Sequence, residues 1–567
     1  MALQPQTLQT SRGGPVSAWI SAYPGRAFGA VLALHAVVWT ALPTLLYPNL
    51  PLDLIEALMY GREWQLGYDK LPPLPWWLVE IVNLTIGHDF AYYLLAQIAV
   101  VTALAIVWGA ARPLIGAAGA LVAVLIVDGL HYLNYTAAKF NHDVIQLPFW
   151  ALAGFALHRA LRGRQNFDWL LLGLAVGISL WAKYFMVVLA APMAVFLIVD
   201  DDARKAWAGP GPFIAMAAAL ITMAPHLIWL VHNDFLPFAY AEHRALPSRG
   251  LMDHVWHPLQ FAVSQLFFLI PSLLIALPLF YPRTREVPTT ASDAFDNRIV
   301  TWLAFGPIAT VLLLSALSGR GTVAMWGYPL WLFLGLWIVL NAHRALDATR
   351  LARISIVWAI VFAGFALGFI VNYSVLPNYD HRYRAVFFPG GDLGREITQR
   401  YRAATGKAPV YVIGTMWDGG NVAHYASSHP RVLVDGRPER APWIDLADLR
   451  SKGAVVVWTD SDPNAIPVLL RMIAADAAVQ PSFELHDRRG NGKRIVGWAI
   501  LQPKPTFATA PIAGGNCGLM PLVGNNALVE DRAIVRVRWR PNRASRSTLP
   551  RLVASVSTTT RRWCLVS

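Results

Sequence analysis

Ten long apolar segments dominate the first 375 residues of this 567-residue chain. Most of them approach the roughly 20 residues that an α-helix needs to cross the hydrocarbon core of a bilayer. The chain is 56% hydrophobic and 14% charged, whereas soluble domains average about 25% charged residues. A large soluble enzyme and a disordered protein are therefore excluded. The segments are residues 27–47, 90–110, 114–133, 144–161, 169–199, 211–231, 258–280, 298–317, 325–341 and 353–374.

The longest segment, residues 169–199, exceeds the length of one membrane span and carries Lys183 and Tyr184 near its middle. We therefore divide it into two helices that turn at Lys183. The first segment, residues 27–47, is longer than the core of a signal peptide and lacks a convincing cleavage site, so we expect it to be retained. The sequence thus predicts an all-α polytopic membrane protein with about eleven transmembrane helices.

The loops between these spans differ in their content of Lys and Arg. With a cytoplasmic amino terminus, fourteen basic residues fall in the inside loops and seven in the outside loops up to residue 374. This asymmetry agrees with the excess of basic residues that cytoplasmic loops carry. Eleven spans then place the segment after Asn372 outside the cytoplasm.

The last third of the chain changes character. Residues 375–505 contain short β-rich runs at 410–413, 432–434, 454–458 and 496–500, which alternate with helical stretches such as 466–478 and predict a small α/β domain. Residues 506–567 hold nine Arg against two acidic residues, and we expect this basic tail to be disordered. The predicted organisation is a cytoplasmic segment at 1–26, a transmembrane domain at 27–374, the α/β domain at 375–505 and the tail at 506–567.

The net charge of +13 is not evidence for nucleic-acid binding. The tail alone contributes +7 of it, since it holds nine Arg, Glu530 and Asp531. Most other basic residues lie in loops, where membrane orientation explains them, and no nucleic-acid-binding motif accompanies them. We expect no nucleic-acid partner.

The first outside loop, residues 48–89, carries an acidic pair. Asp53 and Glu56 are three residues apart and share a face if the segment is helical. Such a pair can act as a general base or hold a divalent cation. The alternative is that Asp53 caps a helix next to Pro51.

Two further charged residues follow in the outside loops. Lys70 precedes Pro72 and Pro73, whose fixed backbone would hold the ammonium at headgroup level, where it could meet a phosphate. The alternative is an interfacial lysine whose ammonium snorkels to water. Asp143 lies just before a long apolar helix and by itself is a helix-start signal.

Together these features resemble the bacterial GT-C membrane glycosyltransferases of family 39/83. That group includes the aminoarabinose transferase of lipid A, the rhizobial galacturonosyltransferases and, more distantly, the protein O-mannosyltransferases. The similarity extends over about residues 27–374. The motifs that carry it are the acidic pair, Tyr68-Asp69-Lys70 with Pro72-Pro73, Asn141-His142-Asp143, and Trp169, Gly173 and Gly177 followed by Lys183-Tyr184.

The resemblance implies a role for each candidate residue. Asp53 matches the catalytic aspartate that accepts the proton of the attacking hydroxyl, and Glu56 matches its acidic partner. Lys70 matches the lysine that holds the donor phosphate. Asp143 matches the aspartate that orients the acceptor or a cation.

The resemblance also implies the reaction and its location. A sugar would pass from a polyprenyl-phosphate donor to a lipid or glycan acceptor, such as lipid A or the lipopolysaccharide core, with inversion of the anomeric centre. The protein would lie among the lipids of the bacterial inner membrane, with its active site and α/β domain periplasmic. No cofactor is certain; a divalent cation bridged by Asp53, Glu56 and the donor phosphate stays open.

The competing function is transport or flipping of lipid-linked sugars. A transporter is expected to place ionisable residues at mid-membrane depth and to contain inverted repeats. The apolar segments hold few such residues, and no internal repeat is evident. The sequence therefore favours the glycosyltransferase.

Overall fold

The computed structural model describes residues 15–163, 165–244, 247–281, 293–343, 346–380, 382–459, 461–489 and 492–504. The tail at 506–567 and most of the segment at 1–26 therefore lie outside the described residues. The helices within the described residues are α1 (Pro15–Ala22), α2 (Pro24–Leu46), α3 (Leu52–Gly61), α4 (Leu74–Thr85), α5 (Asp89–Asp128), α6 (His142–Gly163), α7 (Asn166–Ala182), α8 (Val187–Val199), α9 (Asp201–Arg204), α10 (Gly211–His232), α11 (Leu236–Arg244), α12 (Asp253–Ala276), α13 (Ala294–Ser318), α14 (Leu334–Ala342), α15 (Ala348–Ile370), α16 (Gly390–Thr405), α17 (Met416–Tyr425), α18 (Leu446–Lys452) and α19 (Val468–Ala474).

Several of these helices are long and apolar enough to cross a membrane. Within the described residues, seven satisfy both criteria, and a bent pair formed by Tyr184–Val199 and Asp201–Ala208 brings the number to eight if that pair is one span. The shorter helix α7 is also apolar. The all-α, multi-pass architecture is confirmed, whereas the count of eleven spans stays a prediction.

The division of the segment 169–199 is confirmed. Helix α7 ends at Ala182, and Lys183 adopts an extended conformation with φ −162° and ψ 134°. A short 3-10 turn then leads into α8. The chain therefore turns at Lys183 and can present its side chain away from both helices.

A break in the backbone separates the segments 90–110 and 114–133, as the sequence predicts, although it lies slightly later in the chain than expected. Both fall in α5, which continues past Arg112 and Pro113 and is interrupted at Gly116, with φ 70° and ψ 172°. Glycine tolerates this positive φ because it has no Cβ. The helix ends at Asp128 rather than at 133, and the following residues form turns that approach the candidate site.

A five-stranded sheet follows the helical bundle, in the order β2-β1-β3-β5-β4. Strands β1 to β3 are parallel and are joined through α17 and α18, whereas β5 pairs antiparallel with both β3 and β4. The predicted α/β character is therefore correct. The strands are β1 (Tyr411–Gly414), β2 (Arg431–Val434), β3 (Ala454–Trp458), β4 (Ala478–His486) and β5 (Lys493–Leu501).

The sheet region contacts the bundle mainly through α17, which lies against α3. The approach is close: a Cβ added to Gly420 would lie 2.7 Å from Cγ2 of Ile55. Across the same interface, Asn49 donates to Asn421 at 3.2 Å and Arg431 pairs with Glu63 at 2.6 Å. The sheet thus packs against the helix that carries the acidic pair. The predicted boundaries at 26, 374 and 505 stay predictions.

Candidate functional site

Six charged side chains converge on one cavity of about 410 Å³. All four residues that the sequence singled out are among them, together with two lysines that it did not assign. The six are Asp53, Glu56, Lys70, Lys139, Asp143 and Lys183. The rest of the wall is mainly apolar and aromatic, and it consists of Leu71, Asn141, His142, Tyr184, Phe185, Pro237, Tyr240, Val323, Met325 and Trp326.

Asp53 lies in the first turn of α3 and directs its carboxylate to the loop before α6. Its Oδ2 accepts from Asn141 Nδ2 at 2.9 Å and lies 2.9 Å from Lys139 Nζ. Pro51 occupies the cap position of α3, and Asp53 makes no capping hydrogen bond. The capping alternative is therefore wrong.

Glu56 lies three residues further along the same face of α3 and pairs with Lys70. The Lys70 ammonium donates to Oε1 at 2.6 Å and to Oε2 at 2.8 Å. The Lys70 side chain is only 17% exposed, and it lies 5.4 Å from the centre of the Tyr240 ring. Lys70 therefore faces the cavity, and the interfacial-anchor alternative is wrong.

Asp143 lies in the first turn of α6 and pairs with Lys183 at 2.5 Å. It also accepts from Gln146 at 3.0 Å. The cap of α6 is supplied by Asn141, whose Oδ1 accepts from the backbone amides of Asp143 and Val144. Asn141 thus both starts α6 and holds Asp53, because its amide has an acceptor and a donor.

Each carboxylate of the cavity is therefore paired with a lysine from another segment. The pairs are Asp53 with Lys139, Glu56 with Lys70, and Asp143 with Lys183. The sequence pattern left Lys139 and Lys183 without a role. One feature of the sequence could have indicated these pairs. In the predicted topology, both lysines lie in outside loops, on the same side of the membrane as the three acids.

Burial and the charge of the partner act in opposite directions on the pKa values of these paired residues. Burial alone would raise the pKa of Asp53, but the charge of Lys139 and the hydrogen bonds from Asn141 and Lys139 outweigh burial and lower that pKa to about 2. The Asp53 charge in turn raises the pKa of Lys139. Burial disfavours the Lys70 ammonium, yet the charge of Glu56 outweighs it and raises the pKa of Lys70. Asp53 and both lysines are charged at neutral pH.

The two carboxylates that could bind the divalent cation left open above are both already paired with lysines. Lys139 and Lys70 contact the carboxylates of Asp53 and Glu56, so a cation would have to displace an ammonium from each. Within the described residues, no group of three or more His, Cys, Asp or Glu side chains is arranged to hold a metal ion. A divalent cation therefore stays an open prediction, and no mechanistic step is assigned to one.

A second set of contacts supports the segment that carries Lys70. Asp69 is buried and accepts from Tyr60 of α3 at 2.8 Å. It also accepts from Nε of Arg440 at 2.6 Å, and Arg440 pairs in addition with Asp435 at the end of β2. The sheet region is therefore bonded to the residue next to Lys70, a contact that the sequence did not reveal.

Comparison with known proteins connects this geometry to a class of enzymes. Residues 70–229 match the family described as dolichyl-phosphate-mannose-protein mannosyltransferase. The chain is 24% identical over 445 residues to the lipopolysaccharide core galacturonosyltransferase RgtA of Rhizobium johnstonii, a match that covers 76% of this chain and 86% of that protein. It is 23% identical over 293 residues to the lipid A galacturonosyltransferase RgtD of the same organism, covering 51% of this chain and 60% of that protein.

The fold agrees with these relatives. The crystal structure of ArnT from Cupriavidus metallidurans bound to undecaprenyl phosphate matches with a TM-score of 0.55 and covers 88% of this chain and 100% of that one. At 13% sequence identity, this match supports the fold alone. The chain is thus similar in sequence and in fold to GT-C membrane glycosyltransferases. The resemblance drawn from the motifs is thereby confirmed.

The family match covers part of the cavity. It begins at Lys70 and extends past Lys139, Asp143 and Lys183, whereas Asp53 and Glu56 precede it. The roles assigned to individual residues stay predictions. The sequence motifs and the cavity nevertheless agree on which side chains are grouped together.

Proposed function

We propose that this glycosyltransferase moves a sugar from a polyprenyl-phosphate donor to a lipid or glycan of the bacterial envelope. The curated relatives are named for transfer of galacturonate to lipid A and to the lipopolysaccharide core. The structural neighbour was solved with undecaprenyl phosphate bound. These names support the donor class and the acceptor class, and no observation favours transport.

The observation that carries the proposal is that Asp53 and Lys70 face one cavity from α3 and from the loop that follows it. An acceptor oxygen would bond to the anomeric carbon of the sugar while the bond from that carbon to the phosphate oxygen breaks. Asp53 would accept the acceptor proton, and Lys70 would stabilise the charge that develops on the departing phosphate. A single displacement of this kind inverts the anomeric centre.

The pairing of Asp53 with Lys139 gives this scheme a further step. A carboxylate with a pKa of about 2 is a weak base. We propose that the acceptor hydroxyl takes the place of Lys139 beside Asp53. Burial then acts without the opposing charge and increases the basicity of the carboxylate.

The proposed location is the bacterial inner membrane, with eleven spans and with the cavity and the sheet on the periplasmic side. The asymmetry of basic residues between the loops supports this orientation.

The one buried acid of α5, Asp128, lies 2.7 Å from His35 and accepts from Trp358. Its partners therefore come from neighbouring helices, as expected for a group that stabilises the bundle.

The test is release of polyprenyl phosphate by the purified full chain. The protein, in detergent or nanodiscs, receives a polyprenyl-phosphate uronic acid or pentose together with lipid A or a lipopolysaccharide core acceptor. We expect stoichiometric formation of polyprenyl phosphate and glycosylated acceptor. Transfer from soluble nucleotide sugars, with every lipid-linked donor ignored, would refute the proposal.

A further inference from the structure

A second cavity, of about 170 Å³, lies where the chain leaves α15 and meets the loop between β4 and β5. Its charged lining consists of four arginines and two aspartates, a net charge of +2. We call it the arginine cavity, and its charged residues are Asp380, Arg382, Arg384, Asp487, Arg489 and Arg494.

The two aspartates hold two of the arginines in fixed positions. Arg384 forms a fork with both oxygens of Asp380, at 2.8 and 2.9 Å. Arg494 approaches both oxygens of Asp487, at 3.2 and 3.4 Å. The positive charge that these pairs leave unbalanced belongs to the other two arginines.

Those two arginines are differently placed. Arg489 donates to the backbone carbonyl of Tyr373 at 2.7 Å and is anchored there. Arg382 is exposed, and within the described residues no hydrogen bond holds its side chain, although its charge acts on Asp380. Guanidinium groups around a small cavity suit the oxygens of a phosphate, since each presents several N–H donors in one plane.

The position of the cavity indicates where that phosphate comes from. It follows directly on the apolar helix α15, and the neighbouring rings of Tyr379 and Tyr383 are 81% and 56% exposed. Exposed tyrosines next to a membrane helix are typical of the interface between lipid and water. The end of α15 and these two exposed rings support a position of the arginine cavity close to the lipid phosphates.

The arginine cavity is also connected to the candidate site. Arg384 donates to Asn372 at 3.2 Å, and Asn372 donates to the hydroxyl of Tyr135 at 2.6 Å. Tyr135 belongs to the loop that carries Lys139 and Asn141, the two partners of Asp53. An anion in the arginine cavity would thus be bound beside the loop that lines the site.

We propose that the arginine cavity binds a phosphate group of the lipid acceptor and so holds the acceptor next to the catalytic cavity. This inference rests on the proposed function, because only a transferase has an acceptor to hold. The region after α15 would then bind the acceptor, a role separate from donor binding.

Binding of lipid A to the detergent-purified full chain tests the inference without requiring turnover. Arg382→Gln removes one charge from an exposed side chain and should leave the fold intact. We expect it to weaken lipid A binding about tenfold, the effect of losing a charge-assisted hydrogen bond. Asp487→Asn removes a negative charge but keeps an amide oxygen that can accept from Arg494, so it should strengthen binding. Arg402→Gln, an exposed change of equal charge on α16 away from the cavity, is the matched control.

Two further ligands identify the source of the phosphate. Lipid A stripped of its phosphates should bind the parent and Arg382→Gln equally weakly. Phosphatidylglycerol should compete poorly with lipid A; effective competition would assign the cavity to bulk phospholipid and overturn the acceptor role. Equal lipid A affinity of the parent, Arg382→Gln and Asp487→Asn would also overturn it. Absence of sugar transfer by the parent would instead refute the proposed function and leave these affinities measurable.

Discussion

Arg440 donates from Nε to Asp69 at 2.6 Å, and Asp69 immediately precedes Lys70 in the chain. The two residues of this bond are separated by 371 positions. Arg440 lies in a short 3-10 turn after β2, and Asp69 lies in the first loop of the bundle. Asp69 also accepts from Tyr60 of α3, the helix that carries Asp53 and Glu56. The sheet therefore helps to fix the lysine assigned to the donor phosphate relative to the acidic pair.

The first prediction concerns Arg440 as a positioning residue. Arg440→Gln removes the charge that holds Asp69, so Lys70 loses a fixed neighbour. We expect the KM for the donor to rise about tenfold, because preorganisation of the phosphate site is lost, while the KM for the acceptor changes little. Steady-state kinetics with each substrate varied in turn measures this difference.

Two variants control this experiment. Arg437→Gln makes the same charge change three residues away, where the guanidinium pairs with exposed Glu439, and should be neutral. Arg440→Lys keeps the charge and should recover part of the donor affinity. If Arg440→Gln lowers only thermal stability and folded protein keeps the parental KM, the residue has a structural role alone.

The second prediction concerns Asp53. Asp53→Asn keeps the shape of the side chain and removes its basicity, so kcat should fall by about 10²- to 10⁴-fold, with donor binding little changed. Single-turnover assays with bound donor measure the chemical step. A well-folded variant with parental turnover would discard the general-base role.

The third prediction concerns Lys70. Its substitution should change donor binding as well as turnover, unlike substitution of Asp53. Lys70→Ala removes the cation that meets the phosphate before and during its departure. Both donor binding and turnover should therefore decline. Titration with a polyprenyl phosphate, together with kcat, separates the two effects. If Lys70→Ala keeps the parental affinity for polyprenyl phosphate, another residue binds the phosphate.

The sequence predicted the core of the candidate site because its residues lie in local motifs. Asp53 and Glu56 share a helix face, and Lys70 follows on the same loop, so their proximity needs little tertiary information. Asp143 entered through the family resemblance and does line the cavity. The partners Lys139 and Lys183 were missed because spacing cannot reveal an ion pair between separate segments.

The strands of the sheet also differ in how well the sequence predicts them. Strands β1, β2 and β3 are short buried runs with few exposed residues, and the sequence located them. Strand β4 was missed: it lies at the edge of the sheet, contains Pro481 and exposes most of its side chains. Edge strands tolerate proline and polar residues because one side has no hydrogen-bonding partner.

The fourth prediction concerns orientation. A reporter that is active only outside the cytoplasm should give signal when fused after Asp380 and none when fused after Arg204. The basis is the twofold excess of basic residues in the loops assigned to the cytoplasm. The reverse pattern would place the catalytic cavity on the cytoplasmic side and contradict the proposed location.

The last prediction concerns the pH dependence of kcat/KM. Lys139 and Asn141 hold the pKa of Asp53 at about 2, below its ordinary value, so Asp53 keeps its charge as the pH falls until about 2. Its protonation should therefore cause no loss of kcat/KM in the parent between pH 5 and 8. Lys139→Met removes the main opposing charge, and burial then raises the pKa of Asp53. An acid limb should appear in the profile of this variant.

Lys183→Met is the matched control for this profile. It also removes one ammonium from the cavity, but that ammonium pairs with Asp143 and does not contact Asp53. Its profile should keep the parental shape even if its maximum is lower. An acid limb of equal midpoint in both variants would mean that Asp53 is not the titrating group. Lys139 would then not control the basicity of Asp53.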